Sequence, residues 1–208
     1  MEESTYFVIL AALAFCLGAC PFSVWVGRWF LDKDIRDYGD GNPGAANVFR
    51  AGGGRRYGLL AVALDVAKGV PFVLLAHRVF GLPETAVLAV GFSAVLGHAF
   101  SPVLKLKGGK AIAVSYGVLL ALPHHTPLVS FTGFMVLGAL AFGDNAWGVM
   151  LGPVGSLAYL TVTEGATWYT LFMLCLLALL AAKHLGDLKS TPRLRPAVRG
   201  WLRGSSKG

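Results

Sequence analysis

The chain has 208 residues, 55% of them hydrophobic and only 14% charged, with a mean hydropathy of +0.64. Soluble domains carry about 25% charged residues, so the composition excludes an ordinary soluble domain and points to a polytopic membrane protein with room for one helical bundle. The net charge is +7, but no basic run is interleaved with aromatics as a nucleic-acid surface requires. The charge suits anionic lipid and anionic substrates, and no nucleic-acid partner is expected.

The chain begins Met1-Glu2-Glu3, acidic where a secretory signal is basic, so the apolar run that follows is read as a first membrane span. That span runs from about Ser4 to Phe30 and is interrupted at Gly18, Pro21 and Ser23. Partner helices must satisfy the backbone groups freed there. A polar loop, Leu31 to Arg56, separates it from further spans at about Tyr57–Ala76 and Thr85–Leu104. A second polar loop, Lys105-Leu106-Lys107-Gly108-Gly109-Lys110, precedes a span at Ala111–Leu122, closed by Pro123. Three more follow at about Pro127–Phe142, Trp147–Val162 and Thr167–Ala182. Several are shorter than the roughly 20 residues that cross a bilayer squarely. The expected fold class is an all-α membrane protein of about seven transmembrane helices. Residues 1–190 form the membrane domain and residues 191–208 a basic cytoplasmic tail, on the membrane surface or mobile. Cys16, Cys20 and Cys175 match no metal spacing and are read as small buried apolar side chains.

The positive charges set the orientation. Arg28, Lys33, Arg36, Arg50, Arg55 and Arg56 lie in or beside the first loop, Lys105, Lys107 and Lys110 in the second, and Lys183, Lys189, Arg193, Arg195, Arg199, Arg203 and Lys207 near the C-terminus. With seven spans all of these fall on one face. That face is taken as cytoplasmic, so the N-terminus is outside, the C-terminus inside, and the two polar loops share a compartment.

The first loop holds Gly39-Asp40-Gly41-Asn42-Pro43-Gly44-Ala45-Ala46-Asn47-Val48-Phe49-Arg50. Gly39, Gly41 and Gly44 permit positive φ and close approach of a ligand to the backbone. Asn42 as N-cap and Pro43 at the first helical position predict a short helix from Pro43 to about Arg50, stopped by Gly52-Gly53-Gly54. Its start suits an anion, above all a phosphate. Asn47 and Arg50 share a helix face, and Arg50 can add a two-pronged phosphate contact. The same glycines also read as plain punctuation between membrane helices, and the Asp40 carboxylate would repel a phosphate.

Elsewhere, Asp65 and Lys68 interrupt a span. Charges there are expensive and normally paired, so an internal ion pair is expected. His98 lies near the cytoplasmic end of its span, where it caps the helix or touches a polar substrate. Lys110 opens the next span, and the Gly108 and Gly109 amides can make an anion-binding concavity beside it. Ala111 stands where a Walker loop needs Ser or Thr, so this is not one. No Ser-His-Asp set, paired-carboxylate site or zinc spacing is visible. His124 and His125 are given no role.

Taken in order, the Gly39–Arg50 stretch, Tyr57-Gly58, Leu64-Asp65-Val66-Ala67-Lys68-Gly69, Gly97-His98-Ala99-Phe100-Ser101-Pro102 and Lys107-Gly108-Gly109-Lys110 resemble the PlsY family of bacterial membrane acyltransferases. The resemblance covers roughly Leu10 to Leu188. It implies a seven-helix inner-membrane protein with its active site facing the cytoplasm. The implied reaction moves an acyl group from acyl phosphate to the sn-1 hydroxyl of glycerol 3-phosphate, with no metal and no other cofactor. Carried onto this chain, it implies His98, Lys110 and Arg50 as catalytic residues. Gly39, Asp40, Gly41, Asn42, Gly44, Asn47, Lys107, Gly108 and Gly109 would bind substrate. The chain departs from the family pattern in five ways, one being Pro43, which removes a loop amide. Asp40 stands where the family has serine, and Ala111 where it has glycine. The third, serine-rich motif is reduced to the region of Val149–Pro153, with Ser156 beyond it. Asp187, after His184, is the nearest match to a late asparagine. A non-catalytic or altered-specificity paralogue binding a lipid or phosphate is the alternative reading, and a small transporter a third.

Overall fold

The structure, a computed structural model, describes residues 2–143 and 145–204. It is all-helical among those residues and divides into two compact units, one running through His125 and one from Thr126.

Pro21 splits the first apolar run. It lacks an N–H and disfavours helical geometry at the residue before it, so α1 (Glu2–Ala19) ends and α2 (Phe22–Leu31) begins anew. Beyond the first loop come α3 (Ala45–Val48), α4 (Gly54–Ala67) and α5 (Pro71–Leu74), which continues as a π turn at Leu75–Val79. Next are α6 (Glu84–Ala99) and α7 (Ile112–Ala121). Glycines bring these helices close. A Cβ on Gly18 of α1 would collide with the Ala94 carbonyl of α6, and one on Gly97 of α6 with the Phe15 carbonyl of α1. Gly117 of α7 sits in the same way on the Val66 carbonyl of α4. Small residues at crossings let backbones pack where lipid removes the hydrophobic drive between helices.

The short helix differs from its sequence-based expectation. α3 starts at Ala45, and its N-cap is Gly44, at φ −103 rather than a positive value. Asn42 does not cap it. The Asn42 N–H donates to Asp40 Oδ1 at 3.2 Å and its carbonyl accepts from Asn47 Nδ2 at 2.8 Å, so Asn42 closes a turn on Asp40. Gly52-Gly53-Gly54 do interrupt the helix, as expected. Gly52, at φ +97, breaks the helical backbone within the turn Phe49–Gly53, and Gly54, at φ +56, opens α4 as a new helix.

The second unit holds α8 (Thr126–Ala141), α9 (Asn145–Thr163), α10 (Trp168–His184) and α11 (Pro196–Gly204). α8 and α9 cross where a Cβ on Gly138 would overlap the Gly148 carbonyl. Ser130 and Ser156, both buried, share a hydrogen bond of 2.6 Å across that pair. Thr167 caps α10 reciprocally with Thr170. The tail is tied to the end of α8 by Gly143 N–H to Arg193 O at 2.7 Å and Arg195 N–H to Ala141 O at 2.9 Å before it turns helical.

Among the described residues, four helical segments are long and apolar enough to cross a membrane: Glu2–Leu31, Ala45–Val79, Glu84–Leu104 and Ala146–Thr163. Three shorter apolar helices, Ile112–Ala121, Thr126–Ala141 and Trp168–His184, accompany them. Large apolar side chains such as Val8, Leu59, Val136 and Val162 point outward. On a protein of this composition they form a lipid-facing surface. Cys16 and Cys175 also lie exposed on helices, and Cys20 half-buried, which corrects the expectation that all three are core residues. An apolar thiol is as compatible with lipid as with a packed interior.

Candidate functional site

The first loop is pinned from beneath. Ile35 is fully buried in a cluster with Val24 and Val26 of α2, Val48 of α3, Ala51 and Ala61. Asp34 caps the 3₁₀ turn Ile35–Asp37. It accepts from Arg36 Nε at 2.8 Å and from Arg28 Nη2 at 3.1 Å. The Arg36 side chain above all holds the Asp34 carboxyl well below the usual carboxylate range. Lys33 Nζ donates to the Ala51 carbonyl at 2.8 Å and ties the loop to the π turn.

On this base Asp40 is held between two glycines in left-handed geometry, Gly39 at φ +61 and Gly41 at φ +71. A Cβ on Gly39 would overlap the Asn47 and Arg50 side chains, so only glycine lets both approach. The Asp40 carboxylate gathers the site. Lys110 Nζ donates to Oδ2 at 2.6 Å, Asn47 Nδ2 donates to Oδ1 at 2.9 Å, and Arg50 Nη1 stands 3.5 Å from Oδ1. Arg50 also donates to Asn47 Oδ1 at 2.8 Å, as their spacing implied. Burial pushes the Asp40 pKa up, but the Lys110 ammonium, the Asn42 N–H and the Asn47 amide together outweigh it and bring it from 3.8 to about 2. The carboxylate expected to repel an anion is here the counter-ion of the two cations.

Lys110 arrives on the second loop, whose path is unusual. Lys105 (φ +54), Leu106 (φ +64) and Ala111 (φ +65) are non-glycine residues in the left-handed region, a strain that proteins concentrate at functional loops. Ser101 anchors the loop through Oγ to the Ala19 carbonyl. The concavity expected from the Gly108 and Gly109 amides is only partly available, because the Gly109 N–H donates to the His98 carbonyl at 3.0 Å. These glycines serve close packing instead. A Cβ on Gly108 would meet the His98 carbonyl, and one on Gly109 the His98 imidazole. Lys107 is exposed, and its side chain forms no ion pair with the Asp40 cluster. Gly44 contributes as the cap of α3, its carbonyl accepting the Asn47 N–H at 3.0 Å.

Beside the cluster lies a narrow cleft, open to solvent on one side, with room for little more than a water molecule. Its walls include Pro43 and Gly109 from the two loops, and Asp65, Lys68, His98 and Ser101. The expected ion pair is present, with Lys68 Nζ 2.7 Å from Asp65 Oδ1 and both residues almost fully buried. That contact is ionic rather than a well-aligned hydrogen bond, since Oδ1 accepts none. Ser23 Oγ donates to Oδ2 at 2.6 Å, Lys68 Nζ donates to the Cys20 carbonyl at 2.9 Å, and His98 Nδ1 lies 3.9 Å from Asp65 Oδ1. Sequence reasoning missed Ser23, Ser101 and the Cys20 carbonyl. The one signal for them was the Pro21 break, where a freed carbonyl needs a donor. Among the described residues no three His, Cys, Asp or Glu side chains gather as a metal site.

Chemically the arrangement offers two cations on separate loops aimed at one oxyanion position, and an imidazole on the wall of the adjoining cleft. Residues 8–192 match the family model described as glycerol-3-phosphate acyltransferase. A glycerol-3-phosphate acyltransferase of Neisseria meningitidis (serogroup C, serotype 2a) is 38% identical over 166 residues, covering 78% of this chain and 77% of its own. One from Myxococcus xanthus is 36% identical over 188 residues, covering 86% and 92%. The crystal structure of PlsY (YgiH), an integral membrane glycerol 3-phosphate acyltransferase, in its glycerol 3-phosphate form superposes with a TM-score of 0.75 at 25% identity. That match covers 88% of this chain and 90% of the other. The lysophosphatidic acid form superposes equally well, at 26% identity.

Proposed function

This chain belongs to the glycerol-3-phosphate acyltransferase family, and on that premise we propose that it moves a fatty acyl group from acyl phosphate to the sn-1 hydroxyl of glycerol 3-phosphate. The products are lysophosphatidic acid and inorganic phosphate. The observation that carries this reading is the meeting of Arg50 and Lys110, from two loops far apart in sequence, at a single carboxylate. Two cations at one oxyanion position are what a phosphate-transferring or phosphate-releasing site needs.

Acyl phosphate is a mixed anhydride, already activated, so no covalent enzyme intermediate is required. The glycerol hydroxyl forms a bond to the acyl carbon, the bond from that carbon to the phosphate oxygen breaks, and phosphate leaves with the electron pair. Arg50 and Lys110 neutralise the charge that grows on the phosphate. His98, on the wall of the adjoining cleft, takes the hydroxyl proton, and Asp65 beside Nδ1 holds its ring in place. Gly39, Gly41, Asn42, Gly44 and Asn47 build the first loop's side of the site, and Gly108 and Gly109 set its approach to His98. Lys107, exposed at the loop surface, attracts the anionic substrates. The acyl chain lies in lipid contact along the helices. The clustering of Lys and Arg in the two loops and the C-terminal tail supports an inner-membrane protein with this site on the cytoplasmic side, the N-terminus outside and the C-terminus inside.

One observation favours a second reading. The Asp40 carboxylate occupies the space between the cations, as a paralogue with altered specificity or no turnover would allow. A single experiment separates the two. Purified protein in lipid nanodiscs is given palmitoyl phosphate with and without glycerol 3-phosphate. The acyltransferase reading requires phosphate release that depends on glycerol 3-phosphate and matches lysophosphatidic acid formed. Absence of release from folded protein favours the paralogue.

A further inference from the structure

We infer that Asp40 is a built-in competitor of the bound phosphate: its carboxylate holds Lys110 and Arg50 until a substrate oxyanion displaces it, and it returns to release the phosphate product. This rests on the reading of the cation pair as the phosphate position.

The geometry is that of a substitute ligand. Oδ2 takes Lys110 at 2.6 Å, and Oδ1 faces Arg50 Nη1 at 3.5 Å. A phosphate seated on the same two cations would require these oxygens to move away, because two anions cannot share the pair without mutual repulsion. Asp40 can leave without dismantling the loop. Its side chain is about one-third exposed, at 32%, and the loop is fixed elsewhere, through Ile35 in the core and Asp34 with its two arginines. The flanking residues are glycines in left-handed geometry, for which alternative backbone angles are easily reached. Asn47 provides the resting latch, donating to Oδ1 while its own Oδ1 holds Arg50. When Asp40 swings out, Asn47 and Arg50 stay joined, so the cation remains aimed at the site.

The consequence is weak, fast phosphate binding. With the carboxylate present the site has one net positive charge rather than two, and every bound anion must replace an internal one. Removing a unit charge within about 4 Å of the ligand at a partly exposed site corresponds to about a tenfold change in affinity. Released phosphate therefore leaves readily and inhibits little.

The test is isothermal titration of inorganic phosphate, and separately of glycerol 3-phosphate, into the full chain in detergent micelles, comparing wild type with Asp40→Asn. The amide keeps the shape and the Asn42 contact and removes the charge. The expected result is about tenfold tighter phosphate binding in Asp40→Asn, and a correspondingly lower inhibition constant for phosphate. Unchanged or weaker binding in folded Asp40→Asn overturns the proposal, because Asp40 would then be positioning the cations rather than competing for them. If Asp40→Asn does not fold, Asp40→Ser is read by the same criterion, and failure of both to fold also overturns it. Binding heat is measured without turnover. Tight phosphate binding by Asp40→Asn in a protein that never releases phosphate from acyl phosphate would end the acyltransferase reading while leaving this inference standing.

Discussion

Replacing Lys68 by methionine should be among the most damaging single changes in this protein. Asp65 and Lys68 are almost fully buried, with Nζ 2.7 Å from Oδ1, and Lys68 Nζ also bonds the Cys20 carbonyl freed by Pro21. Removing one member of a buried pair leaves the other charge uncompensated and costs about 3–5 kcal/mol. Ser23 still donates to Asp65 Oδ2 and keeps the loss toward the lower end. The orphaned Cys20 carbonyl adds about 1 kcal/mol. The double variant Asp65→Leu/Lys68→Met removes both charges, and such apolar replacements are often neutral or better. It should therefore recover most of the loss and sit about 1 kcal/mol below wild type, the residue of the missing cap. The assay is unfolding in mixed micelles titrated with sodium dodecyl sulfate, followed by tryptophan fluorescence. A Lys68→Met protein within about 1 kcal/mol of wild type, or a double variant as unstable as the single, would refute the reasoning.

Three other outcomes are expected. Because the Asp40 pKa falls from 3.8 to about 2 on folding, its ionised form stabilises the fold. That contribution is complete above about pH 4 and lost as pH drops toward 2. Melting curves should show a stability advantage of wild type over Asp40→Asn that is constant from pH 6 to 9 and shrinks away as the pH falls from about 4 toward 2. Gly109→Ala places a Cβ against the His98 imidazole and should lower kcat, whereas Gly133→Ala, inside α8 with nothing nearby, should leave kcat unchanged and raise the melting temperature slightly, because alanine favours the helix over glycine. Ala111→Gly relieves a residue at φ +65. The left-handed cost of about 1–2 kcal/mol is partly offset by the greater freedom of glycine in the unfolded chain, about 0.4–1 kcal/mol, so the variant should gain roughly 0.5 kcal/mol, read as a higher melting temperature.

The helical architecture was legible because apolar runs punctuated by Pro and Gly leave little choice of structure in a chain this hydrophobic. The seven apolar segments stand close to where the sequence put them. The Asp65–Lys68 pair and the Asn47–Arg50 contact were also readable, since both follow from helical spacing. What failed was local competition for hydrogen bonds. Asn42 looked like a helix cap, but Asp40 and Asn47 claimed its backbone groups. Gly109 looked like an amide donor to an anion, but the His98 carbonyl took its N–H. Long-range partners carry no sequence signature at all. Nothing in the spacing of Ser23, His98 and Asp65 says that they meet, and nothing marks Asp40 as the counter-ion of Lys110 rather than a source of repulsion.

The most direct test of two loops with one cation each acting on one phosphate is phosphate release from palmitoyl phosphate and glycerol 3-phosphate by Arg50→Ala and Lys110→Ala. Removing one preorganised group that stabilises developing charge commonly costs about 100-fold or more. Each variant should lose at least that much in kcat/KM while remaining folded. Release within a few fold of wild type in either folded variant would contradict the account.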